Sequence, residues 1–226
     1  MSFTAIQLLL IFVPLALSLY AQYKVSSVIK KYSRVPNSKG LTGEQVAKMI
    51  LEKEHLQHVE VFQVPGKLSD HYDPRNKRLG LSPDIAQGTS ISALAVAAHE
   101  TGHAIQHRDA YKFLGMRSAL YPLASFSSNL GPILIFISLI FQFTGLLKIG
   151  IILFSASVLF TIVTLPVEFD ASARAVVTLN KLGISSPSES ALVKKVLSAA
   201  ALTYVAAALA AVAELVRLIL IARSND

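Results

Sequence analysis

Two histidines and a glutamate near the middle of the chain have the spacing of a metal-binding motif. The segment Ala97–His103 reads Ala-Ala-His-Glu-Thr-Gly-His, which places His99 and His103 four residues apart and Glu100 directly after the first histidine. On a helix, residues four apart lie on one face, about 6 Å apart along the axis. Two imidazoles in this arrangement can bind one zinc ion. The Glu100 carboxylate would then reach the open side of the metal and take a proton from zinc-bound water.

The residues around the motif predict the helix that it requires. Residues 90–107 read as one long helix, with Thr89 or Ser90 as its N-cap. The apolar run Ile91–Ala98 would bury the helix and hold the site rigid, and Gly102 would let another segment approach the metal closely. The alternative is a chance occurrence of the motif in a soluble surface helix, which the apolar flanks disfavour.

A catalytic zinc site needs a third protein ligand and an open fourth position. The chain has no cysteine, so this ligand must be His, Asp or Glu. His107 and Asp109 are candidates, but Gln106 stands where the extended motif has glycine, so the helix should continue past the metal. Glu168 is the better candidate, because a carboxylate at the end of an apolar stretch must face protein or water. Alternatively, Glu168 only marks the end of a membrane span.

The distribution of charge predicts membrane spans. Of the 226 residues, 53% are hydrophobic and 15% are charged, which excludes a disordered chain or a disulfide scaffold. Stretches of about 20 apolar residues can cross a bilayer. We predict four spans, at residues 3–23, 120–141, 147–167 and 198–222. A cleaved signal peptide is the alternative for the first, and a buried packing helix, with Glu214 and Arg217 on one face, is the alternative for the fourth.

The net charge of +7 could indicate a nucleic-acid-binding protein, but the positions of the basic residues give another explanation. Basic residues follow the first span and precede the fourth, at Lys24, Lys30, Lys31, Arg34, Lys39, Arg174, Lys181, Lys194 and Lys195. By the positive-inside rule, these two connections lie in the cytoplasm and the N-terminus lies outside. We therefore expect a multi-pass protein of the cell membrane, with the bilayer as a partner and no role with nucleic acid.

The main water-facing segment, residues 24–118, contains signals for further elements. Thr42 and Gln45 predict a capping box at the start of a helix. Valines alternate with polar residues over Val59–Val64, which predicts a strand. A turn-rich stretch, Gly66–Lys77, leads to a second predicted strand at Leu79–Ser82.

Three segments of the chain resemble a known family. They are Leu68–Pro74 (LSDHYDP), Ala97–Gln106 (AAHETGHAIQ) and Pro166–Ser172 (PVEFDAS). Together they are similar to the gluzincins, in particular to the YugP-like membrane-bound neutral zinc metallopeptidases. The resemblance extends, in order, over nearly the whole chain.

The resemblance implies a zinc-dependent metalloendopeptidase, a hydrolase that cleaves peptide bonds of membrane-associated proteins or of proteins at the cytoplasmic face. It implies that Zn²⁺ is the cofactor, that His99, His103 and Glu168 bind it, and that Glu100 activates the zinc-bound water as the catalytic acid and base. A protein or peptide substrate is thus an expected partner, and an accessory membrane protein is compatible with the sequence although no motif indicates one.

The chain departs from the related CAAX-processing and HtpX-like membrane proteases at the residue that orients a zinc-bound imidazole. Those proteases often have an aspartate four residues after the glutamate, where this chain has Ser172. Asp170 is our candidate for the role, with a salt bridge to Arg174 as the alternative. Candidates for stabilising the oxyanion are Arg174, His71 and Tyr72, although the last two could equally shape the turn that follows them.

We therefore expect a mainly α, polytopic membrane protein with about four transmembrane helices and a cytoplasmic zincin-like α+β metallopeptidase domain with a short β-hairpin or sheet. The expected segments are an N-terminal transmembrane helix at 1–23, the metallopeptidase domain at 24–118, a transmembrane hairpin at 119–167, a cytoplasmic segment with the third zinc ligand at 168–197, and a C-terminal transmembrane helix and tail at 198–226.

Two other functions remain open from the sequence. One is a catalytically silent zinc-binding membrane scaffold that binds partner proteins. The other is an intramembrane protease, which usually needs a further aspartate in a later span, and residues 149–167 contain no charge to supply it.

Overall fold

The computed structural model describes residues 3–224, without the side chain of Leu139. Over this part of the chain the protein is mainly helical, as predicted. In chain order the elements are α1 (Phe3–Tyr32), α2 (Gly43–Lys53), β1 (Glu60–Gln63), β2 (His71–Asp73), β3 (Arg78–Leu81), α3 (Pro83–Ala86), α4 (Ile91–Arg108), α5 (Lys112–Phe141), α6 (Thr144–Lys181) and α7 (Pro187–Ser224).

Four helices are long and apolar enough to cross a membrane, and this number equals the number of predicted spans. They are α1, α5 over Lys112–Ser138, α6 and α7. Helices α6 and α7 have 38 residues each, well beyond the roughly 20 residues that a span needs. In α7 the Arg217 guanidinium donates to both carboxylate oxygens of Glu214, at 2.6 and 2.7 Å. These two charges, which lie within the apolar part of the helix, therefore neutralise each other.

The chain divides into two compact units. One unit comprises the chain up to Gln22, Lys112–Pro166 and the chain from Thr203 onward, and it is formed by the apolar parts of the long helices. The other comprises Tyr23–Tyr111 and Val167–Leu202, and it contains the sheet and helices α2, α3 and α4.

The second unit contains a three-stranded sheet in the order β1-β3-β2. Strand β3 pairs in parallel with β1 and antiparallel with β2. Strands β1 and β3 confirm the two predicted strands to within one residue at each end. Strand β2 lies in the stretch that the sequence predicted as turns, because its three residues are too few to show a strand periodicity.

Helix α4 is the buried centre of the second unit. Its N-cap is Ser90, whose hydroxyl accepts a hydrogen bond from the Ala93 amide at 3.1 Å. Helices α2 and α3 and strands β2 and β3 pack around it. The predicted capping box of α2, formed by Thr42 and Gln45, is present. Most residues of α4 are buried, which confirms the expected burial of its apolar run.

At Gly102 the backbone of α6 comes very close to α4. A Cβ atom at this position would lie 2.5 Å from the carbonyl oxygen of Ala171. The two backbones are therefore in direct contact, with no room for any side chain between them. The close approach predicted for Gly102 is confirmed, and the approaching segment is α6.

We expect Gly102→Ala to lower the free energy of unfolding by about 1–3 kcal/mol, because α4 and α6 would have to move apart. Gly115→Ala is the matched control, since a Cβ there would meet nothing within 4 Å. Alanine favours a helix over glycine by about 0.5–1 kcal/mol, so the control should be unchanged or slightly more stable. Thermal unfolding in detergent measures both, and equal melting temperatures would contradict the proposed contact.

Candidate metal centre

His99, His103 and Glu168 meet in the second unit. The Oε2 atom of Glu168 lies 3.2 Å from His99 Nε2 and 3.6 Å from His103 Nε2. The candidate ligand atoms all lie within 4.8 Å of one another. Within residues 3–224 this is the one group of three or more His, Asp or Glu side chains that could hold a metal ion. The two histidines come from α4 and the glutamate from α6, 69 residues away in the chain.

The spacing of these atoms fits a zinc ion. Zinc binds imidazole nitrogen and carboxylate oxygen at about 2.0–2.1 Å, so two ligand atoms of a tetrahedral site are about 3.3 Å apart. The observed separations of 3.2 and 3.6 Å from Glu168 are close to this value. The donor set of two imidazoles and one carboxylate is that of catalytic zinc sites, in which the fourth position stays open.

Burial strengthens the electrostatic interactions among these groups. Glu168 is 2% exposed and His103 is 8% exposed. Burial alone would lower the pKa of His103, but the hydrogen bond to Glu168 and the negative charges of Glu100 and Glu168 outweigh it, so the pKa of His103 is raised. A buried carboxylate needs a cationic or hydrogen-bonding partner. The cluster therefore favours a positive charge between its members.

Glu100 lies on α4 directly after His99 and is 8% exposed. Its negative charge acts on the His103 imidazole. A buried carboxylate whose charge acts on a candidate metal ligand is a candidate general base.

Each imidazole contacts a second polar side chain through its Nδ1 atom. The Ser172 hydroxyl lies 3.2 Å from His99 Nδ1, and Gln106 Oε1 lies 3.0 Å from His103 Nδ1. The sequence had singled out the position of Ser172 but not its contact, and had not assigned a role to Gln106. Gln106 follows His103 by three residues, so helical spacing could have indicated that they share a face.

Asp170, our candidate for orienting an imidazole, is bonded to other groups. Its Oδ2 atom accepts hydrogen bonds from Gln106 Nε2 at 2.8 Å and from Arg174 Nε at 2.5 Å. The salt bridge to Arg174, which was the alternative, is thus present. Asp170 reaches the imidazole of His103 indirectly, through Gln106.

The three oxyanion candidates form their hydrogen bonds with residues other than His99, His103 and Glu168. His71 is exposed and bonds through Nδ1 to the Ser69 carbonyl at 2.8 Å. The Tyr72 hydroxyl lies 2.9 Å from His107 Nδ1. Burial and the negative charge of Asp73 raise the pKa of Tyr72 to about 12, so this phenol keeps its proton.

The third oxyanion candidate, Arg174, forms ion pairs with two carboxylates, Asp109 at 2.6 Å and Asp170 at 2.5 Å. The assignment of all three candidates to the oxyanion stays a prediction.

The other two candidates for the third ligand, His107 and Asp109, also have other partners. His107 bonds Tyr72, and Asp109 forms ion pairs with Arg108 at 2.8 Å and Arg174 at 2.6 Å. The ion pairs lower the pKa of Asp109 and outweigh its slight burial, with the hydrogen bond from Arg108 as the largest cause. Helix α4 runs on to Arg108, past both imidazoles, as Gln106 had indicated.

Comparison with known proteins gives two related findings. A family model described as "Putative neutral zinc metallopeptidase" matches residues 7–223. The curated protein "Putative membrane protease YugP" of Bacillus subtilis (strain 168) is 46% identical over 207 residues, which are 92% of each chain. No solved structure matches the chain. Both findings agree with the resemblance carried by the three short segments.

We expect Glu168→Ala to weaken zinc binding by more than about 100-fold, since loss of a group that merely supports a ligand already costs 10–100-fold. Glu189→Ala is the matched control. Glu189 is buried as well, at 8% exposed, and it accepts hydrogen bonds from the backbone amide and hydroxyl of Ser38 at 2.6 and 2.8 Å. The control should lose stability but keep its zinc. Zinc content after dialysis measures both, and normal retention in Glu168→Ala would remove Glu168 from the site.

Proposed function

The chain belongs to the neutral zinc metallopeptidase family, whose cofactor is zinc, and on this premise we propose that it is a membrane-embedded zinc metalloprotease. Its substrates are membrane-associated proteins or proteins at the cytoplasmic face of the membrane. The single observation that supports this proposal best is the cluster of His99, His103 and Glu168, with Glu100 on the same helix as the imidazoles.

We assign a role to each side chain of the site. His99, His103 and Glu168 would hold the metal. When bound, zinc lowers the pKa of water toward neutrality and polarises a carbonyl group. Glu100 accepts a proton at its carboxylate from the attacking water and later gives this proton to the departing amine. The burial of Glu100 limits competition from bulk water for that proton.

The proposed domain organisation follows from the positions of these residues. Residues 24–118 and 168–197 form a zincin-like metallopeptidase domain, and the spans at 1–23, 119–167 and 198–226 anchor it. The basic connections after the first span and before the fourth support a cytoplasmic location for this domain. The bilayer would therefore bring membrane-associated substrates close to the site.

We expect Glu100→Gln to keep its zinc and to lose cleavage by about 10²–10⁴-fold, because general acid–base catalysis contributes that much. Glu44→Gln is the control, because Glu44 is paired with Lys48 on the surface of α2. The measurement is zinc content together with mass-spectrometric labelling of new protein N-termini in membranes that contain each form. A silent scaffold would show the same N-termini with the wild-type protein and with Glu100→Gln.

The orientation can be tested with single cysteines, because the chain contains none. A membrane-impermeant maleimide should label Phe143→Cys, in the connection between the second and third spans, in intact cells. It should label Lys53→Cys, at the end of α2, only after permeabilisation. Both positions are exposed. The reverse labelling pattern would place the candidate site outside the cell.

A further inference from the structure

Gln106 is a buried amide that connects the helices of the candidate zinc ligands. It is 0% exposed on α4, three residues after His103. Its Oε1 atom bonds His103 Nδ1 at 3.0 Å, and its Nε2 atom bonds the Val167 carbonyl and Asp170 Oδ2, both at 2.8 Å. Val167 directly precedes Glu168 in α6. The Gln106 side chain thus contacts one candidate ligand, His103, and the backbone next to another, Glu168.

The partners of Gln106 determine which way its amide points. A backbone carbonyl and a carboxylate paired with arginine can only accept hydrogen bonds. The NH₂ group must therefore face Val167 and Asp170, which leaves Oε1 facing the imidazole of His103. A carbonyl oxygen can only accept. The Nδ1 atom of His103 must therefore carry a hydrogen.

This hydrogen bond has a consequence for the metal. A neutral imidazole with its hydrogen on Nδ1 has a lone pair on Nε2, and Nε2 is the atom of His103 that faces Glu168. We propose that Gln106 is a positioning residue, which holds His103 in the tautomer and ring orientation that present Nε2 to zinc. This inference rests on the proposed role of His103 as a ligand.

The two imidazoles differ in this respect. The partner of His99 is the hydroxyl of Ser172, which can either donate or accept. Ser172 therefore leaves the tautomer of His99 open. Gln106 leaves no such choice to His103, because all three of its hydrogen bonds have a fixed direction.

A chain of ion pairs holds the amide in place. From Asp170 it continues to Arg174 at 2.5 Å, to Asp109 at 2.6 Å, to Arg108 at 2.8 Å and to Glu54 at 2.8 Å. The charges alternate in sign along the whole chain. The ion pair with Arg174 thereby holds the Asp170 carboxylate in place, and this carboxylate orients Gln106 by accepting a hydrogen bond from its Nε2 atom.

The test is the zinc dissociation constant of the full chain in detergent, measured by competition with a chromophoric chelator. Gln106→Met has a similar volume but no acceptor for His103, so it should bind zinc about 10–100-fold more weakly. Thr101→Val is the matched control, since Thr101 is also 0% exposed on α4 and its hydroxyl donates within the helix to Ala98. The zinc dissociation constant of Thr101→Val should stay within about threefold of the wild-type value, because the candidate zinc ligands keep their hydrogen-bond partners. An unchanged constant in a folded Gln106→Met protein would overturn the inference.

A second variant separates positioning from packing. Gln106→Glu keeps an oxygen that accepts from His103, but it loses both donated bonds and places a negative charge beside Asp170. We therefore expect the melting temperature to be highest in the wild-type protein, lower in Gln106→Met and lowest in Gln106→Glu. The zinc affinity should instead be highest in the wild-type protein, lower in Gln106→Glu and lowest in Gln106→Met. A purely structural role would give the same order in both measurements, which would contradict the proposal.

The native protein offers a test that does not depend on folded variants. In zinc-free protein at alkaline pH, ¹⁵N NMR of the histidine rings should show His103 protonated at Nδ1, with its signals assigned by their loss in His103→Gln. Protonation at Nε2 would overturn the inference.

Zinc binding by the wild-type protein and by His103→Ala separates this inference from the proposed function. If the wild-type protein binds no zinc, or if His103→Ala binds it normally, the proposed site itself is wrong. If both behave as expected and Gln106→Met is unchanged, only the role of Gln106 is wrong.

Discussion

The burial of the Glu168 carboxylate beside two imidazoles is the constraint on which the rest of the site depends. A carboxylate that is 2% exposed needs compensation close by, and here the compensating groups come from another helix. The two helices must therefore approach each other closely. Gly102 permits this approach, because the Ala171 carbonyl occupies the space of its missing side chain. Gln106 then bonds the Val167 carbonyl and fixes α6 along α4.

Much of this arrangement could be predicted from local sequence. The spacing of His99 and His103, the N-cap and the apolar run define α4, because helical periodicity and capping act over a few residues. Glu168 could be predicted as the third candidate ligand on chemical grounds, because a carboxylate after an apolar stretch needs a partner outside lipid. Four apolar stretches were enough to locate the membrane helices, although not their full length.

The remaining features depend on contacts that no local pattern records. Strand β2 exists because β3 lies beside it, and its three residues carry no signal of their own. Gln106 and Val167 are 61 residues apart in the chain, and Ser172 and His99 are 73 residues apart. Their pairing follows from the packing of α4 against α6, and no pattern within either helix determines it.

The partners of the imidazoles also bear on the charge of the proposed site. An aspartate at position 172 would place a negative charge beside His99, whereas Ser172 is neutral. Asp170 acts on His103 only indirectly, through the neutral amide of Gln106. Carboxylate partners raise the basicity of a zinc-bound imidazole, and neutral partners raise it less. With Glu168 as its one anionic ligand, a zinc ion here would keep more of its positive charge for polarising a carbonyl group. In the proposed site each imidazole would thus have a neutral partner at Nδ1, which would favour the electrophilic role of the metal over tighter binding.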